Sequence, residues 1–132
     1  MAEAGLVLQK AIYDTLTADA ALMTLVTGVF DHVPGGTNLP YVVIGEATAA
    51  DWSTKDMDGQ RHTVSLHVWA QGRGQAETKT IMARIYGLLH RAELTLENET
   101  LVLFRFDFSE ALLDADGMTH HGILRFRAFT HG

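Results

Sequence analysis

Apolar positions along the 132-residue chain follow two periods, and these divide it into a helical start, a strand-rich middle and a C-terminal hairpin. Leu8, Ile12 and Leu16 recur every four residues, with Ala11 and Thr15 beside them, which predicts one helix over about 4–17. Asp19 then precedes an apolar run, 20–26, that stops before Gly28. Aspartate is a good N-cap and glycine a good terminator, so a second short helix follows. Residues 29–33 form a short strand candidate. The run Pro34-Gly35-Gly36-Thr37-Asn38-Leu39-Pro40 is the clearest loop in the chain. A strand begins at Tyr41 and runs to about 50.

The stretch 51–60 contains Trp52, Lys55, Asp56, Asp58 and Gly59 and reads as a long polar connection between strands. Over 61–70 the chain alternates, with Val64, Leu66, Val68 and Ala70 on one face and Thr63, Ser65, His67 and Trp69 on the other. Gly72-Arg73-Gly74 breaks that strand. Ile81, Ile85, Leu88 and Leu89 then define a helix over 75–90, with Glu77 near its positive end and Arg91 near its negative end. Residues 93–96 suggest a short strand, followed by a turn at 97–99.

The C-terminal part predicts a hairpin. Val102, Phe104, Phe106 and Phe108 share one face, as do Leu124, Phe126 and Ala128. A two-residue turn at Asp116-Gly117 would set phenylalanines opposite arginines. A three-residue loop, Ala115-Asp116-Gly117, pairs 106 with 126 and 108 with 124, matches apolar to apolar, and puts Gly117 in the left-handed position. The same register makes Phe106 and Phe126 buried partners and sets Asp107 opposite Arg125. The element order predicts an α+β fold, a mostly antiparallel sheet with helices packed on one face, in a single domain spanning 1–132.

Composition sharpens this picture. Apolar residues make up 47% and charged residues 20%, an ordinary globular balance. No cysteine is present, which removes disulfides, thiolate metal sites and a cysteine nucleophile and fits a reducing compartment. No uncharged stretch reaches the ~20 residues a membrane span needs, and no basic region precedes an apolar run as in a signal peptide. Sixteen acidic against ten basic residues give a net charge of −6, with three lysines in all. Tight nucleic-acid binding relies on clustered Lys and Arg, so a DNA-wrapping role is disfavoured.

Candidate chemistry is sparse. Neighbouring His120 and His121 point to opposite faces of a strand, and His62 and His67 are split by their odd spacing, so neither pair chelates one ion. No H-E-x-x-H, phosphate loop, G-x-G-x-x-G or G-x-S-x-G is present. Gly74 before a helix could host an anion, although a plain strand-to-helix turn suits it better. Asp56/Asp58 and Asp114/Asp116 flank glycines and read as turn residues. No catalytic, metal or cofactor-binding residue is assigned, and no cofactor is expected. Arg105, Arg125 and Arg127 cluster on one hairpin face, either solvated beside Asp107 or forming a subunit interface. Trp52 either anchors a partner or folds back on its own sheet.

Several segments together resemble a known family. They are Leu8-Gln9-Lys10-Ala11-Ile12-Tyr13, Leu16-Thr17-Ala18-Asp19-Ala20-Ala21-Leu22, Gly28-Val29-Phe30-Asp31 with Pro34, and Leu39-Pro40-Tyr41-Val42-Val43-Ile44-Gly45. Trp52-Ser53-Thr54-Lys55, Gly59, His62, Leu66-His67-Val68-Trp69 and the run 114–122 continue the pattern. In order and spacing they are similar to the tail-completion proteins, the tail terminators of long-tailed phages and of phage-like gene transfer agents.

The resemblance implies a virion structural protein and not an enzyme. It implies a ring, typically hexameric, that caps the head-proximal end of the tail tube, stops its polymerisation and offers a joining surface to a head-side connector or stopper. DNA would pass through the lumen without specific binding, and no membrane is involved. Such a protein is assembled in the host cytoplasm and ends in the virion tail. Another head–tail connector or stopper component, or a small histidine-dependent enzyme, remains the alternative. The expected interface residues are Trp52, Lys55, Asp56 and Asp58 in one loop, Pro34 and Asn38 in another, and Arg105, Arg125 and Arg127 on the hairpin.

Overall fold

The four-residue spacing of Leu8, Ile12 and Leu16 becomes the fully buried stripe of a first helix, α1 (Ala2–Thr17). The computed structural model describes residues 2–72 and 75–132. Asp19 caps the next helix, α2 (Ala20–Leu25), its carboxylate accepting the Leu22 N–H at 2.8 Å. Strand β1 is shorter than 29–33, covering only Val29–Phe30, because Asp31 and His32 turn out to solvent. Strands β2 (Tyr41–Asp51) and β3 (Gly59–Gln71) leave 52–58 as their connection.

Helix α3 (Ala76–Leu89) buries Ile81, Ile85 and Leu89. Arg91 does not sit in its last turn; the chain leaves the helix at His90, and Arg91 takes a left-handed φ of 59°. Arg73 and Gly74, and with them the anion reading of Gly74, lie outside the described residues. Residues 93–96 are not a strand. Leu96 is buried in the core and Leu94 packs against it, so the segment is held by its side chains and not by a ladder. The turn at 97–99 is present, with Asn98 left-handed.

Strands β4 (Thr100–Leu113) and β5 (Thr119–His131) complete a five-stranded sheet of order β1-β2-β3-β5-β4. Only β1 runs parallel to its neighbour. The fold is α+β. Helix α1 lies against β1 and β2, and α3 against β3, β5 and β4, so one face of the sheet carries the core. The predicted alternation of β3 holds, with Val64, Leu66, Val68 and Ala70 all buried. At Gly122, α3 comes close to β5. A side chain there would run into Met82 and Thr78.

The hairpin follows the expected register at one end only. Phe106 pairs with Phe126 and Phe104 with Ala128. A bulge between Phe106 and Phe108 then shifts the pairing by one residue. Phe108 therefore faces Arg125, and Ser109 takes the place opposite Leu124. The shift carries through to a longer turn in which the Asp114 N–H donates to the Thr119 carbonyl at 2.8 Å. Gly117 is left-handed as expected, with φ 74°.

Two consequences correct the sequence reading. Asp107 sits in the bulge and accepts from Arg127, not Arg125, at 3.1 Å. Of the four residues expected on one apolar face, Phe104 is buried and Phe106 half-buried, while Val102 (49% exposed) and Phe108 (38%) are turned out by bulges.

Candidate functional site

Three features could meet a partner: the loops at the two ends of β2, and the sheet face that carries no helix. The connection 52–58 leaves the sheet at one end. Its backbone closes a turn at 54–57, the Thr54 N–H donating to the Met57 carbonyl at 2.8 Å, which puts Lys55 and Asp56 at the tip. The Asp58 carbonyl accepts from the Gly132 N–H at 3.3 Å. Trp52 folds back on its own sheet and stays partly exposed. Its ring lies 4.9 Å from that of Phe129, and 41% of the residue is exposed.

The loop holding Pro34 and Asn38 stands at the opposite end of β2. Thr37 closes a turn onto the Pro34 carbonyl, with its Oγ1 donating at 2.6 Å, around a left-handed Gly36. Thr27 ties the far side, its Oγ1 donating to the Asn38 carbonyl at 2.7 Å and its N–H to the Pro40 carbonyl at 2.8 Å. The Leu39–Pro40 bond is cis. These loops do not meet each other. They are separated by the length of β2.

The arginines do come together. Arg105 pairs directly with Arg127 across β4 and β5, and Arg125 follows two residues along the same face. Arg127 is drawn to Asp107. Arg125 donates from Nε to Ser65 Oγ at 3.2 Å, and its guanidinium lies 4.7 Å from the centre of the Phe108 ring. Arg105 enters no ion pair among the described residues.

The same bare face holds a cluster that sequence spacing did not reveal. His67 Nδ1 lies 2.7 Å from His121 Nε2, and His67 Nε2 lies 2.7 Å from Glu46 Oε1. His121 is also stacked on Trp69, with ring centres 3.7 Å apart. Spacing tests only neighbours within one strand. These three polar side chains come from β2, β3 and β5, and only the register joins His67 diagonally to His121. Gly45 makes room, since a side chain there would strike the His67 ring.

The hydrogen bond from His67 holds the Glu46 carboxyl below its ordinary range. Burial, and then the neighbouring His67, lowers His121 and keeps it neutral. Both ring nitrogens of His67 are engaged within the protein, so the arrangement fixes ring orientation. On the covered face, His62 is buried against Thr130 at 3.0 Å and lowered by that burial. Among the described residues, no group of three His, Asp or Glu side chains is placed to hold a metal ion. No described helix is long and apolar enough to cross a membrane.

Comparison with known proteins places the chain in a family. The chain is 33% identical over 120 residues to the tail completion protein gp17 of Bacillus phage SPP1, covering 91% of this chain and 89% of that protein. Its fold matches a chain in the virion of a native gene transfer agent (GTA) particle with a TM-score of 0.91 and 35% identity, over 99% of this chain and 98% of that one. The structure of bacteriophage SPP1 gp17 matches with a TM-score of 0.68 and 31% identity, over 95% and 89% of the two chains. The family model of tail completion protein gp17 aligns with residues 10–131. With α2, α3, the sheet and both strand-end loops inside that match, the chain belongs to the tail completion protein gp17 family.

Proposed function

We propose that this protein is a structural component of a phage or phage-like tail and acts as its terminator. Six copies form a ring on the head-proximal end of the tail tube. The ring halts tube polymerisation and offers its other side to a head-side connector or stopper, while DNA passes through the centre. The observation that carries this reading is the near-complete likeness to a chain of a GTA virion. The loop geometry suits it. Residues 34–40 and 52–58 stand at opposite ends of one strand, so a ring of such subunits presents different loops to the tube and to the connector. Trp52 supplies a large half-exposed anchor on one side.

No catalytic role is assigned. The matched relatives are tail and virion proteins, and the histidine cluster is internally satisfied. Passage of DNA asks that the lumen tolerate phosphate without holding it. A net charge of −6 per copy, multiplied around a ring, repels the backbone. Arg125 and Arg127 are held by Ser65 and Asp107, which leaves Arg105 as the free cation of the trio among the described residues.

Negative-stain microscopy of the purified protein tests the reading, and rings with a central hole are expected. Particles without rings at any concentration, together with normal tail joining in their absence, would overturn it. Titration with duplex DNA at low salt should give at most weak binding. A submicromolar affinity that falls ~10³-fold or more between low and moderate salt would instead make the arginine face a DNA track.

A further inference from the structure

The sheet ends in two open edges. On one side, β1 covers β2 only through Val29↔Val42 and Phe30↔Val43. After the bulge between Ile44 and Ala47, residues 46–51 have β3 on one flank and, among the described residues, no strand on the other. All six are exposed, and their sequence is Glu-Ala-Thr-Ala-Ala-Asp. Open strand edges are normally blunted by lysine, proline or short length, because unpaired backbone recruits another strand. A run of alanines and threonine does the opposite and lets a neighbouring backbone come close.

The other edge is β4. At Phe106 it is closed, the outward N–H donating to His90 Nδ1 at 3.2 Å. Strand alternation turns the N–H and C=O of Phe104 the same way, where no strand meets them. A groove of about 730 Å³ runs here between residues 91–95 and 101–105. Val102 and Leu103 are exposed along it. It carries Arg91 and Arg105, neither in an ion pair among the described residues, beside one acid, Glu93.

The two open stretches lie on the same rows of the sheet. Thr48 pairs with Thr63, Thr63 with Arg127, and Arg127 with Arg105. Ala50 leads through Arg61 and Phe129 to Leu103 in the same way. Three antiparallel steps separate β2 from β4, so the two strands run in opposite directions. A rotation about an axis near the strand direction therefore brings the β2 edge of one copy beside the β4 edge of the next, antiparallel and with little shift along the strands.

We propose that residues 46–51 of one copy add as an antiparallel strand to the β4 edge of the next copy, in the groove between 91–95 and 101–105. Asp51 brings negative charge to the groove that holds Arg91 and Arg105, Thr48 falls on the row of Arg105, and the small residues fit against the β4 backbone. The contact is heterologous, since different patches meet, and such contacts close into rings when the operation is a pure rotation. The proposal rests on the ring reading above and names the contact that makes the ring.

The absence of cysteine allows a direct test. Ala50→Cys and Leu103→Cys in one chain are three strand spacings apart, roughly 14 Å, too far for a disulfide within a copy. Oxidation should give a ladder of linked copies on a denaturing gel. Ala50→Cys with Leu113→Cys, at the far end of β4, should not. In the cysteine-free protein, Arg105→Glu should weaken self-association about tenfold while leaving the monomer folded by circular dichroism, and adding Thr48→Arg, on the same row, should restore it. Rings seen by microscopy without a ladder, and unmoved by Arg105→Glu, overturn the edge pairing while the ring stands. A ladder from open chains that never close upholds the pairing and overturns the ring. Neither rings nor ladder overturns both.

Discussion

The two faces of the sheet are built from the same strands and held by different physics. On the covered face, Leu66, Val68, Leu124 and Phe126 meet Leu8, Ile12 and Ile85 in a buried apolar cluster, and the contacts are non-directional. On the bare face, residues one position away are held by directional contacts: His67 to Glu46 and His121, His121 on Trp69, Arg125 on Phe108 and Ser65. The difference teaches that a strand's second face need not be idle surface. Here large polar and aromatic side chains cover each other, so Ser65 is buried without any helix above it.

Truncating rings on the two faces breaks the comparison most directly. Phe126→Ala removes a fully buried ring stacked on Phe104 and should cost ~3–5 kcal/mol, whereas Phe106→Ala, half-buried, should cost roughly 1–3 kcal/mol. Phe108→Ala should cost about 1 kcal/mol or less, chiefly the arginine contact. Denaturant midpoints read all three. Equal losses at 106 and 108 would show that the bulge between them does not divide the faces.

Gly122→Ala tests the closeness of the helix layer. The new methyl meets Met82, so a loss of ~1–3 kcal/mol is expected, less if the flexible methionine moves aside. Gly45→Ala presses on the His67 ring on the bare face and should register as a shift in the histidine proton resonances with a smaller loss of stability.

Acid titration tests the shifted groups on both faces. His62 and His121 are lowered by burial, so they are neutral in the fold and bind protons more readily when unfolded. Stability is then full above about pH 6.5 and is lost as pH falls below it. Asp19 is lowered to about 2, first by the hydrogen bond from Arg84 and then by the Leu22 N–H. Its contribution is present above pH ~4 and is lost as pH falls towards 2. Asp19→Asn keeps a capping oxygen and should remove that share of the acid loss while leaving those of Glu46 and Asp116, which melts across pH 2–5 would show.

The smallest effect on stability, and the most telling for assembly, belongs to Trp52. Trp52→Ala loses a half-exposed ring on Phe129, so the monomer melts near the parent temperature while ring formation and tail joining weaken. Normal assembly by the variant would remove the connection 52–58 from the interface.

The sequence determined what depends on neighbours a few positions away. The stripe on α1, the cap at Asp19, the alternation of β3 and the left-handed Gly117 all follow from periodicity and turn chemistry. The pairing of Phe106 with Phe126 also follows, because matching apolar faces admits one register there. Among the interface candidates, the sequence identified the two loops and gathered the arginines, although it paired Asp107 with the wrong one. Tertiary structure decided the rest. The bulge after Phe106 turns Phe108 out beside Arg125, and no local pattern announces it. Glu46, His67 and His121 meet across 21 and 54 positions. The two open edges share the same rows only because β3 and β5 hold β2 and β4 at fixed heights. Such contacts depend on the whole ladder of pairings at once, and the period of any one segment carries no record of them.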